Sequence, residues 1–572
     1  MNVQWGWLKR VLAAAIFGLY MANLLYFLNP QVDITLWRLA KVTIAYGVIC
    51  GLLFGTALWL LRVLRVKIFG RPAARRTHGF GFVVLAAFVS AALYWIHLTV
   101  FHDGYLPVGA VRVLSKATNL ITVTAFALLL LWIFERNADR KRSRVIFAIG
   151  VGLIAVSSVF LYQRRDSYRT EKQSVVVADV GTIAGQRPVI LIAVRNLPYD
   201  WILTMDGEVI LPFFDQARHR GYFTRLEPFP TSSPKSLWAS IATGKLPFRH
   251  GVTGRFAYRT PLNGPDPDDR FLILPSGVGF RAWGLIPPVE RISTQLPSGN
   301  ALPLWTIFER VGLHAAVVDW PSAAPRGASR VVSEAFFGGT QNPAEIAPPS
   351  FFAEAKQLEQ APSAAAVQRF TGSGAARPRI LAALTEDVSA ASIVGQSAAE
   401  KEFTLVAGAL NGFEQAQRAI HIFSNEIPPR STTKGEMLRA YAVQIDSILG
   451  EIARRFPDHL LVVVSPSGPV PPPLAATPWA LVRDALTPQD PGADDGFVLI
   501  LGEGVVHPEK PAAAAPADIV PTVLYAAGLP VGRDMDGRVL TDAFRDDVLR
   551  RNPLSLVQTW EARQLVVRRG GV

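Results

Sequence analysis

The chain has 572 residues, half of them hydrophobic, with a mean hydropathy of +0.25 and a formal charge of +13. That length argues against one ordinary core, and the single cysteine, Cys50 within an apolar run, excludes a disulfide framework or a cysteine-rich zinc site. Much of the positive excess lies in short clusters beside apolar segments, a pattern of membrane topology rather than of nucleic-acid binding.

Five apolar stretches occupy the first third, at 11–28, 40–61, 80–101, 117–134 and 145–162, each close to the roughly 20 residues that span a bilayer core. The first ends in Tyr26-Phe27-Leu28-Asn29-Pro30 rather than in small residues, so it reads as a retained span and not as a cleaved signal. Basic residues set the orientation. Lys9 and Arg10 precede the first span, six follow the second (Arg62, Arg65, Lys67, Arg71, Arg75, Arg76), and five follow the fourth (Arg136, Arg140, Lys141, Arg142, Arg144). The intervening loops carry only Arg38, Lys41, Arg112 and Lys116. This predicts a cytoplasmic N-terminus, a multi-pass region over 1–163, a linker at 164–187, and everything later outside the cytoplasm, against the contrary charge of Arg164, Arg165, Arg169 and Lys172. Ionisable groups within the spans are limited to Lys41 and His97, near span ends, which favours an anchor over a transporter.

From Val175 onward short apolar runs alternate with amphipathic stretches, predicting an α/β domain with a mostly parallel sheet flanked by helices over 188–546 and a tail at 547–572. Strands are expected at 188–194, 315–319, 419–423, 459–465 and 497–501, and helices at 303–311, 434–456 and 517–527. The middle helix has Met437, Tyr441, Ile445, Ile448, Leu449 and Ile452 at helical spacing. The Gly- and Pro-rich 263–300 and the Ala-, Ser- and Gly-rich 363–399 suggest insertions or surface excursions, and 508–516 a solvated loop.

Three stretches then stand out: Pro230-Thr-Ser-Ser-Pro-Lys-Ser-Leu-Trp-Ala-Ser-Ile-Ala-Thr-Gly-Lys245 followed by His250-Gly-Val252; Leu304-Trp-Thr-Ile-Phe-Glu-Arg-Val-Gly312 running into Val317-Val-Asp-Trp-Pro321; and Asp518-Ile-Val-Pro-Thr-Val-Leu-Tyr-Ala-Ala-Gly-Leu-Pro530 with Asp534-Met-Asp-Gly-Arg-Val-Leu540. In this order and spacing they resemble the type I phosphodiesterase and nucleotide pyrophosphatase branch of the alkaline phosphatase superfamily, over most of 189–544. The resemblance implies an alkaline phosphatase-like fold and hydrolysis of phosphate or sulfate esters by a Ser or Thr nucleophile beside two zinc ions about 4 Å apart. It places the nucleophile at Ser233, or at Ser232 or Thr231 if the register differs.

Two close divalent cations need carboxylates and neutral imidazoles around them. Where the family has an Asp after the first strand, this chain has Arg195-Asn196. After the strand expected to end at Phe423, Ser424–Ser431 contains neither the Asp nor the His four residues on, and Glu426 is the nearest acid, with Ile427 beside it. The family's Asp-His-Gly is Pro466-Ser467-Gly468, and its last His position reads Gly492-Ala493-Asp494, with His507 too far beyond the following strand. No metal is therefore expected. Ser233 has a plain alternative as a helix cap, and His250 as a structural donor. Arg195 could clamp an anion in the former metal pocket or pair with Asp200 or another acid. Two functions compete: a membrane-anchored, extracytoplasmic relative that has lost its metals and binds an anion or a partner protein, and an active hydrolase or phosphotransferase on phosphodiester or lipid-linked substrates. A transporter regulated by the α/β domain trails both.

Overall fold

A computed structural model describes residues 2–48, 79–101, 106–166, 175–180, 187–206, 211–229, 234–252, 256–259, 270–275, 290–293, 301–422, 428–468, 495–562 and 564–569, apart from isolated positions. The chain divides into a helical unit, 1–171 with 256–292 and 476–489, and an α/β unit formed by the remainder.

In the helical unit, Asn2–Leu28, Gly79–Ile96, Val108–Arg136 and Arg140–Asp166 are helices long and apolar enough to cross a membrane. Of the second expected span, 40–61, only 40–48 and 51 are described, as helix from residue 36; the rest lies outside the described residues. Small residues let the first helix and 36–48 touch: a Cβ on Gly18 would sit 2.3 Å from the Thr43 carbonyl. The outward faces are apolar. Val123, Phe126, Leu130 and Phe134 form an exposed stripe at helical spacing, where a helix facing water would be polar. Trp37 under Lys41 and Trp132 under Arg136 supply the amphipathic pairs that suit membrane interfaces.

The end of the first helix is held by two buried polar groups. The Arg165 guanidinium donates to the carbonyls of Tyr26, Asn29, Pro30 and Val32. The Asn29 side chain donates to Leu25 and Ile273 carbonyls and accepts from the Leu272 and Ile273 N–H groups at 2.7 and 3.0 Å. Part of the stretch expected as an insertion therefore packs within the helical unit, with Phe271 edge-on to Tyr26. Arg165, which runs against the charge rule, is used internally on main-chain carbonyls.

The strands in chain order are β1 (Val175–Val180), β2 (Val189–Val194), β3 (Tyr222–Leu226), β4 (Phe256–Arg259), β5 (Glu290–Ser293), β6 (His314–Val318), β7 (Arg330–Val332), β8 (Ile346–Ala347), β9 (Phe403–Leu410), β10 (Leu460–Ser467), β11 (Asp495–Leu501), β12 (Val531–Gly532), β13 (Leu556–Val557) and β14 (Gln564–Arg569). The main sheet has the order β3-β11-β10-β2-β9-β6-β7-β8. Its centre, from β10 through β2, β9 and β6 to β7, is parallel, and its edges are antiparallel. Because side chains alternate along a strand, Val189, Leu191 and Ala193 of β2 enter one core with Trp238, Trp305 and Val520. Ile190, Ile192 and Val194 enter the other with Trp201, Ile393 and Tyr441. Each face is covered by helices, as a parallel sheet requires.

Three expectations need correction. No strand forms at 419–422: Gly412–Ala419 is a helix, and His421 sits at a φ of +56°. The strand beside β2 is β9 instead. The stretch 363–399 contains a 23-residue helix, Arg377–Ala399, that packs on β9 rather than running over the surface; Gly408 of β9 permits the close approach, since a Cβ there would lie 2.5 Å from the Val394 side chain. The expected linker and tail also belong to the fold, since β1 pairs in parallel with β14, and Trp560 and Ala562 are fully buried.

Candidate functional site

In an open parallel sheet the crevice at the strands' carboxyl ends is where ligands bind. Here β2 ends at Val194 and turns through Arg195 and Asn196, the latter at a φ of +61°. The Gln417 amide holds the Asn196 carbonyl at 3.1 Å, and Ser465 Oγ accepts from the Leu197 N–H at 3.2 Å. The turn therefore fixes where Arg195 begins. Its Nε lies 2.6 Å from Glu414 Oε2, and its Nη1 lies 3.1 Å from Glu334 Oε1. Burial works against the guanidinium's charge, but Glu414 and Glu334 outweigh it and raise its pKa. Asp200, the partner considered from sequence, pairs with Arg225.

The corrected strand brings different residues to the crevice. β9 ends at Leu410 and is followed by Asn411, with Gln415 four residues on. Asn411 Nδ2 donates to the Asp319 carbonyl at 3.0 Å, and Gln415 Nε2 to Glu386 at 2.8 Å. Gly412 between them is sterically required: a Cβ there would lie 2.0 Å from the Tyr441 hydroxyl. Its N–H and that hydroxyl both donate to Asp387.

Acids gather around this amide pair. Asp319, after β6, is fully buried at a φ of +56°, with no well-aligned hydrogen bond to either carboxylate oxygen. Burial, then Glu386 and Glu334, pushes its pKa well above the ordinary carboxylate value and favours its protonated form. Burial also raises Glu386, and raises Asp387 to about 7 against the Gly412 N–H and Tyr441 hydroxyl that favour its charge. Sequence reasoning missed Glu334, Glu386 and Glu414; the clue for the last was the Asn411-Gly-Phe-Glu414 turn closing an eight-residue apolar run.

At the end of β10, Ser465 and Ser467 are buried and flank Pro466, with Gly468 beyond. Thr231, Ser232 and Ser233, together with Glu426, Ile427 and Ala493, lie outside the described residues. His507 is described on the loop after β11 and is near His219. His250 is fully buried: Nδ1 accepts from the Val252 N–H, which leaves Nε2 to donate to Ser240 Oγ at 3.0 Å. Burial, then Lys245, lowers its pKa to about 3, so it is a neutral structural donor.

The motif residues near it are scaffold as well. Lys245 Nζ, almost fully buried, sits 2.7 Å from Asp534 and 2.8 Å from Glu561. Asp536 accepts from the Leu246 N–H at 2.9 Å and pairs with Arg249. The first and third motif stretches thus lock each other. Among the described residues no three His, Cys, Asp or Glu side chains are arranged to hold a metal ion.

The chain is similar to a 2-O GAG sulfatase (12% identity, 63% of this chain, 74% of that one, TM-score 0.39), to the alkaline phosphatase PafA (10%, 63%, 100%, 0.39) and to human ectonucleotide pyrophosphatase/phosphodiesterase 5 (12%, 63%, 100%, 0.37). The fold is alkaline phosphatase-like. At these identities the likeness concerns the fold alone. No protein-family model and no curated protein matches the chain.

Proposed function

We propose that this chain is a multi-pass, membrane-anchored protein whose alkaline phosphatase-like unit lies outside the cytoplasm and works by binding, not by two-metal hydrolysis. The observation that carries the reading is Arg195 at the end of the central strand, ion-paired to Glu414 and Glu334. Two zinc ions about 4 Å apart repel strongly and need anions around them. A guanidinium there adds a third positive charge and takes up the carboxylates that would offset the other two.

Asn411, Ser465 and Ser467 at the ends of β9 and β10, and Gln415 on the helix after β9, are neutral. Amide and hydroxyl oxygens are weak donors for zinc compared with carboxylate, imidazole or thiolate. The residues present do not fit a zinc pair, and no catalytic step is derived through one.

The partner is an anionic ligand or another protein, with the bilayer as the anchor. Anion binding at Arg195 requires the anion to compete with Glu334, the more exposed of its two acids. The alternative is a hydrolase using Ser233, whose hydroxyl would need a metal or a general base to activate it. Assay of the purified full-length protein on a chromogenic phosphodiester separates the readings. No turnover attributable to the protein is expected, and a chelator-insensitive activity abolished by Ser233→Ala would instead establish a rearranged, metal-free site. Calorimetry with inorganic phosphate tests the ligand class: binding lost in Arg195→Gln supports an anion clamp, and no binding leaves a partner protein as the ligand.

A further inference from the structure

Different elements bring four acids of the described residues around the Arg195 guanidinium: Glu414 on Gly412–Ala419, Glu334 after β7, Asp319 after β6 and Glu386 on Arg377–Ala399. Ion pairs account for two of them. Arg195 takes Glu414 and Glu334, and Arg418 adds a second contact to Glu414. Glu386 is left with the Gln415 amide at 2.8 Å, and neither Asp319 carboxylate oxygen has a hydrogen-bond donor. One turn of backbone holds these last two acids together. Asn411 donates to the Asp319 main-chain carbonyl, and Gln415, four residues on and therefore on the same side of the helix, donates to Glu386. Glu386 lies where it accepts a hydrogen bond from the Asp319 carboxyl when that carboxyl carries a proton. With both ionised, no hydrogen lies between them and two like charges face each other at a covered place. The pair therefore calls for one positive charge. A proton can supply it, and so can a cation that brings N–H donors.

The surroundings narrow the kind of cation. Among the described residues no three His, Cys, Asp or Glu side chains are arranged to hold a metal ion. The approach is acidic and open, with the Glu334 side chain 46% exposed and Glu386 partly so, whereas Asp319 is fully covered. The group must then be small at its tip, carry several donors and sit on a thin stem. A primary ammonium on an alkyl chain has that form, and the broad planar guanidinium does not.

We infer that the Asp319–Glu386 pair, with Glu334 beside it, is a receptor for a primary ammonium group, as the lysine side chain of a partner protein presents it. The inference rests on the binding reading above and names the chemistry that a partner protein would bring. It is opposite in sign to the anion at Arg195 and has its own test.

The probe is Nα-acetyl-lysine amide, titrated into the full-length protein in detergent and followed by saturation-transfer NMR. Butylamine stands for a small free amine, and Nα-acetyl-norleucine amide is the uncharged counterpart. Both amines are expected to bind, and the norleucine derivative is not. Tighter binding of the lysine derivative than of butylamine supports a protein source for the ammonium, and equal affinities support a free amine. Glu386→Gln and Asp319→Asn each keep the shape of the side chain and should each weaken the lysine derivative at least about tenfold, the scale of one charge-assisted hydrogen bond. Glu451→Gln is the control: it lies on the last turns of the helix that leads into the start of β10, at the opposite edge of the sheet, and should leave the affinity unchanged. Melting curves establish that each variant is folded. No binding of either amine, or binding unaffected by both Glu386→Gln and Asp319→Asn, would overturn the inference. Phosphodiester turnover abolished by Ser233→Ala would remove the binding reading itself, so the two failures are told apart.

Discussion

Arg195 and Glu414 meet at 2.6 Å across the ends of two neighbouring parallel strands. Both side chains are mostly buried, at 17% and 10% exposure. Breaking a buried pair leaves the surviving charge without compensation. Arg195→Gln is therefore expected to lower stability by about 3 kcal/mol, read from thermal or denaturant unfolding of the full-length protein in detergent. Glu414→Gln in the same background should recover part of that loss. Arg195→Asp puts an acid at the end of β2 among Glu414, Glu334 and Asp319, so it should destabilise further and create no phosphodiesterase activity.

Asp319 sets the pH response of the crevice. Its native pKa is raised by burial, and the unfolded chain has an ordinary one near 4. The native state then binds the extra proton, so this contribution to stability is complete below about pH 4 and is lost as pH rises towards the raised native value. Asp387 adds a loss of the same sign between about 4 and 7. Asp319→Asn keeps the shape, tolerates the positive φ and cannot ionise. It should raise stability at pH 8 by about 1–3 kcal/mol and flatten the decline in melting temperature between pH 5 and pH 8, relative to the unsubstituted protein measured in the same buffers.

Lys245 ties the Thr-Gly-Lys turn to Asp534 and to Glu561 near the chain's end. Lys245→Met removes the one cation between two acids and should cost about 3 kcal/mol without changing any ligand affinity measured at the strand ends. A loss of affinity without a loss of stability would mean that Lys245 belongs to the binding site.

Topology has its own check. A reporter fused after Tyr162 should be extracytoplasmic, and one fused between Arg71 and His78 cytoplasmic, as the distribution of Lys and Arg requires. The reverse pattern would overturn the assignment of sides.

The parts of the fold legible in the sequence were those coded by local pattern. β2 and β10 are unbroken apolar runs, and Thr433–Arg455 repeats its apolar positions at helical spacing. β9 was hidden because the helix before it is rich in Ala and Ser, a composition shared by linkers and by helices that must sit close to a sheet. Ala419-Ile-His-Ile422 offered a competing apolar run, which instead finishes a helix. β1, β13 and β14 are short or far apart in sequence, so their pairing exists only in the tertiary structure.

The site divides in the same way. Arg195 was legible as a cation at the end of a strand. Its pairing with Glu414 and Glu334 was not, because those acids lie 219 and 139 residues further along the chain. Asp319 sits inside a stretch that matched the resemblance, and nothing local marks it as a buried acid with a raised pKa.

Zinc stoichiometry tests the central claim most directly. The full-length protein, purified without chelator and equilibrated with micromolar zinc, would be analysed for bound metal after removal of the free ion, beside the Glu414→Gln variant as a control for adventitious binding to the acids. With Arg195 in the crevice and amides or hydroxyls at the neighbouring strand ends, the account predicts well under one equivalent, unchanged in the variant. Close to two equivalents of zinc, accompanied by phosphodiester cleavage that Ser233→Ala abolishes, would contradict it.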